Sequence, residues 1–452
     1  MKRFIGDKTF YKNLFIVALP IVVQQLITSS LQLVDNIMVG QLGDNALAAV
    51  GVINQLNFVI ILVTFGAMGG AGVLTAQYFG SKDYDKMKQT FRFKLLVGLI
   101  VALFSVVFFT IFGKGLVRLF SQDDEVINLA LGYLNIVKWA MVPWSVSVAI
   151  SNTFRETGVT KPLLYISFIA IITNTVLNYF LIFGSYGAPQ LGVEGAAIAT
   201  VISRFVEFGL MTVLLLKKGK NFSTKISKIF HIESSILSSI IILAIPLTLN
   251  EAMWSLGQAV FLQAYSTREL ALPAMNAAGA ISQLVFVTFG GIGTGVAVLV
   301  GNTLGKNELH EAKDNARKLI AFAVFFAFMM GIILFIASYY VMDLYSLGDE
   351  TVKIAQSVIR INAIFIPIYS FNVAIYFTLR SGGDTRSTLM MDSGYMWVVS
   401  VPVAMILSRF TNLNVVLLFL MVQFLDIPKM IFAITRYKKG HWVKNLAVQE
   451  TV

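Results

Sequence analysis

The chain has 452 residues, of which 57% are hydrophobic and only 13% charged, and it contains no cysteine. A water-soluble chain of this size carries about 25% charged residues, so the composition excludes an ordinary soluble protein, and the missing thiols exclude disulfides and thiolate metal sites. The formal charge of +11 would suit nucleic acid, but its distribution along the chain argues for a different origin.

The N-terminal stretch is basic, but no small-residue cleavage site follows a short apolar core, so the first apolar segment reads as a retained span. A helix needs about 20 apolar residues to cross the hydrocarbon of a bilayer. Twelve segments meet that length: 14–37, 46–76, 93–112, 126–151, 163–184, 193–216, 236–264, 273–301, 319–341, 353–379, 388–409 and 413–435. The breaks carry turn chemistry, as in Gly40-Gln-Leu-Gly43-Asp44 and Gly382-Gly-Asp384. The expected class is an all-α membrane protein.

With the N-terminus placed inside, 26 of the 35 Lys and Arg fall in inner segments, Lys94 and Arg155 among them. Outer segments hold only Lys114, Arg118, Arg268, Lys353 and Arg409. That bias predicts a multi-pass protein of the plasma membrane with both termini cytoplasmic. It accounts for the basic charge as a topology signal in contact with anionic headgroups, with no call for nucleic acid.

The chain also repeats itself at an offset near 225. Ala18-Leu-Pro20 matches Ala244-Ile-Pro246, and Phe79-Gly-Ser-Lys-Asp83 matches Leu304-Gly-Lys-Asn-Glu308. Phe154-Arg-Glu-Thr-Gly158 matches Leu379-Arg-Ser-Gly-Gly383, and Pro143 matches Pro367. Each half holds six spans, an even number, so the two halves start on the same side and form a parallel repeat about an axis along the membrane normal. The expected organisation is an N-terminal six-helix bundle (1–216), a linker (217–235), a C-terminal six-helix bundle (236–435) and a tail (436–452). Gly66, Gly69, Gly70 and Gly72 match Gly290, Gly291, Gly293 and Gly295, and read as close helix contacts.

Ionisable residues inside spans are costly and mark function by default. Arg204 with Glu207, and Asp426 with Lys429, are three apart and can pair on one helix. Asp392 lies near the inner end of its span. Asp35 has no basic residue within a turn. Asn174 and Asn178 share a helix face, and at about 1.5 Å per residue they fall, with Thr200, at the depth of Asp35. A carboxylate, two amide oxygens and a hydroxyl make a hard oxygen site, suited to Na⁺ or to a proton carried on the carboxylate. Glu251 is the acidic residue in the interior of span 7, with no neutralising neighbour one turn away. Pro20 and Pro246 break the helical ladder before these acidic residues and are candidate hinges.

These motifs resemble the multidrug and toxic compound extrusion (MATE) family. The resemblance is carried by Ala18-Leu-Pro20, Val34-Asp-Asn-Ile-Met-Val-Gly40, Gln77-Tyr-Phe-Gly80, Gly195-Ala-Ala-Ile-Ala-Thr200 and Leu379-Arg-Ser-Gly-Gly-Asp384, and it covers essentially the whole chain. It implies two bundles set as a V around a central cavity, and a monomer without cofactor. The implied activity is export of cationic or amphipathic organic compounds against an inward Na⁺ or H⁺ gradient. Asp35 matches the family's helix 1 carboxylate, and Asn174, Asn178 and Thr200 its polar cluster. Some members carry an acid where Asn178 stands. Glu251 matches a helix 7 glutamate of the NorM-like branch, but the helix 10 aspartate of that branch has no counterpart between Ile354 and Leu379. Trp144 and Trp254 are candidate cavity residues. The alternative within transport is a flippase for lipid-linked or other amphipathic metabolites, with Lys138 and Arg204 as its cations. The three histidines all lie outside the spans, and no His-Glu metal motif lies within one, so an intramembrane enzyme is not expected.

Overall fold

The computed structural model describes residues 4–344 and 348–448, and among these every regular element is helical. Twelve helices are long and apolar enough to cross a membrane: α1 (Lys8–Gly40), α2 (Asp44–Ser81), α3 (Tyr84–Arg118), α4 (Asp124–Glu156), α5 (Lys161–Phe183), α6 (Gly192–Lys218), α7 (Ser234–Ser266), α8 (Ala271–Gly305), α9 (Leu309–Ala337), α10 (Asp349–Ser381), α11 (Thr385–Phe410) and α12 (Val415–Lys439). A backbone in lipid must satisfy its own polar groups, and a helix does so within one segment. The outer faces fit that solvent. On α3, Ile100, Leu103, Phe104, Val107 and Ile111 form an exposed stripe, an apolar surface that lipid accepts and water would not.

The sequence repeat is a repeat of backbone conformation. Lys82 and Asn307, 225 residues apart, both take left-handed conformations, with φ of 62° and 64°. Each closes its helix the same way: Asp83 N donates to Tyr78 O at 3.0 Å, and Glu308 N to Thr303 O at 3.2 Å. Gly158 and Gly383, at the same offset, have φ of 80° and 79°. There Val159 N bonds Phe154 O at 2.9 Å, and Asp384 N bonds Leu379 O at 3.0 Å. These are helix ends whose spare carbonyls are taken up by a left-handed residue.

By internal packing the chain forms two units. One comprises the residues up to Val22 together with those from Ile245 onward; the other is Val23–Ala244. The units differ from the sequence halves at two helices: α1 begins in the first and ends in the second, and α7 does the reverse. The glycine runs supply the reason. On α8, a Cβ at Gly291 would meet Val22 Cγ2 at 2.7 Å, and one at Gly295 would meet Ala18 Cβ at 3.1 Å. On α2, a Cβ at Gly70 would meet Ala244 N at 2.5 Å. The first segments of α1 and α7 are thus seated on small-residue grooves.

The stretch after α6 is folded against its unit. Phe222 is buried with its ring 5.1 Å from that of Phe91 and 4.9 Å from that of Phe154. Arg92 donates to Thr224 Oγ1 at 2.9 Å and to His231 O at 2.6 Å. The stretch after α12 is treated likewise: Trp442 is buried and stacks on Tyr437, with ring centroids 5.5 Å apart.

Candidate functional site

The unit Val23–Ala244 gathers the four residues expected at the ion site. Asp35 lies on α1, Asn174 and Asn178 one turn apart on α5, and Thr200 on α6. Asn178 Nδ2 donates to Asp35 Oδ1 at 2.8 Å and approaches Asn174 Oδ1 at 3.4 Å. Asn174 Nδ2 lies 3.5 Å from Thr200 Oγ1, and Thr200 itself donates to Ala196 O at 3.0 Å. Both asparagines are buried, and Asn178 Oδ1 is a buried acceptor with no hydrogen-bond partner among the described residues. An orphaned amide oxygen costs desolvation that nothing in the helix repays, and it is a ready donor atom for a cation.

Two further residues belong to this cluster. Tyr133 of α4 is buried beside Thr200. Arg204 of α6 acts electrostatically on Asp35 while its Nη1 bonds Glu207 Oε2 at 2.7 Å, the intrahelical pair expected from the spacing. The site is therefore an anion held near a compensated cation. It offers oxygen donors, and among the described residues no three His, Asp or Glu side chains converge as a transition-metal centre would need.

In the other unit, Glu251 lies half-buried on α7. Among the described residues it makes no hydrogen bond or ion pair; Arg380 and Asp392 are the charged groups that act on it. Beside it, Asp392 of α11 pairs with Lys429 of α12 at 2.7 Å. This corrects the expectation that Lys429 pairs with Asp426: three-residue spacing allows an intrahelical pair, but the lysine reaches across to α11. Asp426 remains a nearby anion. Asp392 also accepts from Asn250 Nδ2 at 3.1 Å, so it is held within the protein. Pro20 and Pro246 lie inside continuous helices, close to the residues where α1 and α7 change unit. Trp144 on α4 and Trp254 on α7 are half-buried, Trp254 one turn beyond Glu251.

Sequence reading missed two sets of buried polar groups. Lys94 and Arg155, counted with the inner loops, are inside helices. Lys94 is fully buried and pairs with Glu156, with Thr153 Oγ1 accepting at 3.2 Å. Arg155 donates to Gln24 Oε1 at 2.9 Å. The matched Gly158 and Gly383 turns were the available signal, since they place residues 154–156 on a last helical turn. The cations proposed for a flippase are already engaged: Lys138 donates to Thr110 Oγ1 at 2.9 Å and Asn135 Oδ1 at 3.2 Å, and Arg204 pairs with Glu207.

Twelve apolar helices with a repeated turn architecture and buried oxygen donors define a multi-pass helical membrane transporter. The MatE family profile matches residues 20–180 and 236–406, and the chain belongs to that family, the MATE multidrug efflux transporters; it is not an enzyme. It is 26% identical over 420 residues to the probable multidrug resistance protein YoeA of Bacillus subtilis, covering 90% of this chain and 88% of that one. It is 26% identical over 408 residues to the probable multidrug resistance protein NorM of Bradyrhizobium diazoefficiens, covering 88% and 87%. Its fold is similar to that of a mutant of the Vibrio cholerae MATE transporter VcmN, with a TM-score of 0.88 at 18% identity over 98% of this chain and 99% of that chain.

Proposed function

We propose that the protein is a cation-coupled antiporter of the plasma membrane that exports cationic or amphipathic organic compounds by alternating access. Both termini lie on the cytoplasmic side, and the protein works as a monomer in the bilayer. The observation that carries this reading is the Asp35–Asn178 contact with its orphaned amide oxygen. Na⁺ or H⁺ binds at Asp35. Asn174 and Thr200 add oxygens to the Na⁺ shell, and Asn178 joins it by turning its amide so that Oδ1, and not Nδ2, faces the carboxylate. Such a turn couples occupancy of the site to the packing of α1 on α5. Glu251, without a hydrogen-bond or ion-pair partner among the described residues, serves the ion, the cationic substrate or both, with Trp144 and Trp254 as apolar and cation–π surface for the cargo. Pro20 and Pro246 are the points at which the carboxylate-bearing segments bend.

The test is efflux of ethidium from proteoliposomes with Na⁺ and pH gradients imposed separately. One gradient should drive export and the other should not. Asp35→Asn protein that retains full gradient-driven export would overturn the coupling role.

A further inference from the structure

The repeat hides a second pair of matched residues. Four positions beyond Pro20 stands Gln24, and four beyond Pro246 stands Asn250. Both are buried polar side chains, 9% and 2% exposed. Buried amides are as a rule hydrogen-bonded, and both of these are tied to the corresponding neighbours. Gln24 Nε2 donates to Ser167 Oγ of α5 at 2.5 Å, and Gln24 Oε1 accepts from Arg155 at the end of α4. Asn250 Nδ2 donates to Asp392 of α11 at 3.1 Å and lies 3.4 Å from the Tyr376 hydroxyl of α10. Ser393 returns two bonds, from N to Asn250 Oδ1 at 3.2 Å and from Oγ to Asn250 O at 2.7 Å. Ser167 and Asp392 are 225 residues apart, as are Arg155 and Arg380, and Arg380 lies beside Tyr376.

The place of these residues on their helices gives them a role. Helix α1 changes unit between Val22 and Val23, and α7 between Ala244 and Ile245. Gln24 is the first polar side chain of α1 after the change, and every partner it has lies in the unit of Asp35. Asn250, with all its partners, lies in the unit of Glu251. In α11 the backbone widens into π-helix over Met390–Gly394, an uncommon geometry that tends to mark functional sites, and this is the turn that meets Asn250.

We propose that Gln24 and Asn250 are paired positioning residues, each fixing the carboxylate-bearing segment of its proline-broken helix to its own unit so that bending is confined to the proline. Without the anchor, the missing ladder bond at Pro20 or Pro246 leaves the turn that follows it set by apolar packing, which is non-directional, and the next directional ties come only farther along, Asn178 to Asp35 on α1 and Trp397 to Met253 O on α7. The proposal rests on the hinge reading of Pro20 and Pro246, and on neither the ion nor the substrate.

The absence of cysteine makes the chain a clean background for spin labels. Cysteines at Ile16 and Ile37 bracket the α1 bend, and cysteines at Ile241 and Leu256 bracket the α7 bend; the four side chains are exposed, at 41%, 62%, 41% and 60%. Pulsed electron–electron distances in nanodiscs should show a shifted and widened distribution for Gln24→Leu on α1 and for Asn250→Leu on α7. Gln24→Glu, whose carboxylate accepts from both Arg155 and Ser167, should restore the native distribution, and Leu249→Ala on the exposed face of α7 should leave it unchanged. If the leucine variants do not fold, Ser167→Ala and Ser393→Ala remove single bonds of each anchor and should widen the same distributions. Native distributions in the anchor variants, or a Gln24→Glu distribution as wide as that of Gln24→Leu, would overturn the proposal. No transport enters this readout, so it stands apart from failure of the antiporter reading.

Discussion

Asp35 and Asn178 show how a weak sequence signal becomes a site. Two asparagines one turn apart read by themselves more as interhelical glue than as ligands; what favours the ligand reading here is the orphaned Asn178 Oδ1 beside a carboxylate. A hydrogen bond to a charged group contributes about 1.5–3 kcal/mol, so Asn178→Ala should change the apparent affinity for the coupling ion by roughly tenfold to a hundredfold. Half-saturation of efflux against Na⁺ or H⁺ concentration measures this. A second prediction concerns the buried Lys94–Glu156 pair. Lys94→Met strands a carboxylate and should cost about 3–5 kcal/mol of stability, whereas Lys94→Met with Glu156→Leu should recover most of it. Melting temperatures in detergent for the four members of the cycle decide the matter.

At the scale of elements, each span was legible in the sequence because hydrophobic length survives any detail of packing. The turns were legible too, as Gly158 and Gly383 show, since their left-handed backbone is a local requirement. Partners across helices were not. Lys429 pairs with Asp392 on another helix, and nothing in the spacing of Asp426 and Lys429 excluded the pair between them. Lys94, at the inner edge of the span 93–112, counts as an inner-side charge in the sequence, yet its helix begins at Tyr84 and encloses it. The glycines carry a prediction of their own. Gly70→Val drives side-chain atoms into the backbone of Ala244, 2.5 Å from the Cβ position, and should destabilise the protein by about 1–3 kcal/mol. Gly209→Ala, with nothing within 4 Å of its Cβ position, should leave the melting temperature unchanged or raise it, since alanine is the better helix former by about 1 kcal/mol.

Over the whole molecule, the Lys and Arg bias predicts topology by a route independent of any likeness to other proteins. Single cysteines make the measurement, because the native chain has none. Gln122→Cys, between α3 and α4, should react with an impermeant maleimide in intact cells. Lys225→Cys, between α6 and α7, should react only after the membrane is opened. The opposite pattern would invert the protein and with it the direction of proposed export.

Composition, hydrophobic length and the repeated turn motifs determined by themselves that this is a twelve-helix membrane protein built from two related halves, and they singled out Asp35, Asn174, Asn178 and Thr200. These are properties of local sequence: lipid selects length and apolarity, and a left-handed turn selects glycine or a tolerant residue. Only the tertiary structure decided that the first segments of α1 and α7 are seated on glycine grooves of α8 and α2, and that Lys429 reaches Asp392. It likewise decided that Gln24 and Asn250 are bonded to their neighbours just beyond the prolines. Those outcomes depend on which faces of separate helices meet, and side chains on separate helices leave no mark of that meeting in either stretch of sequence.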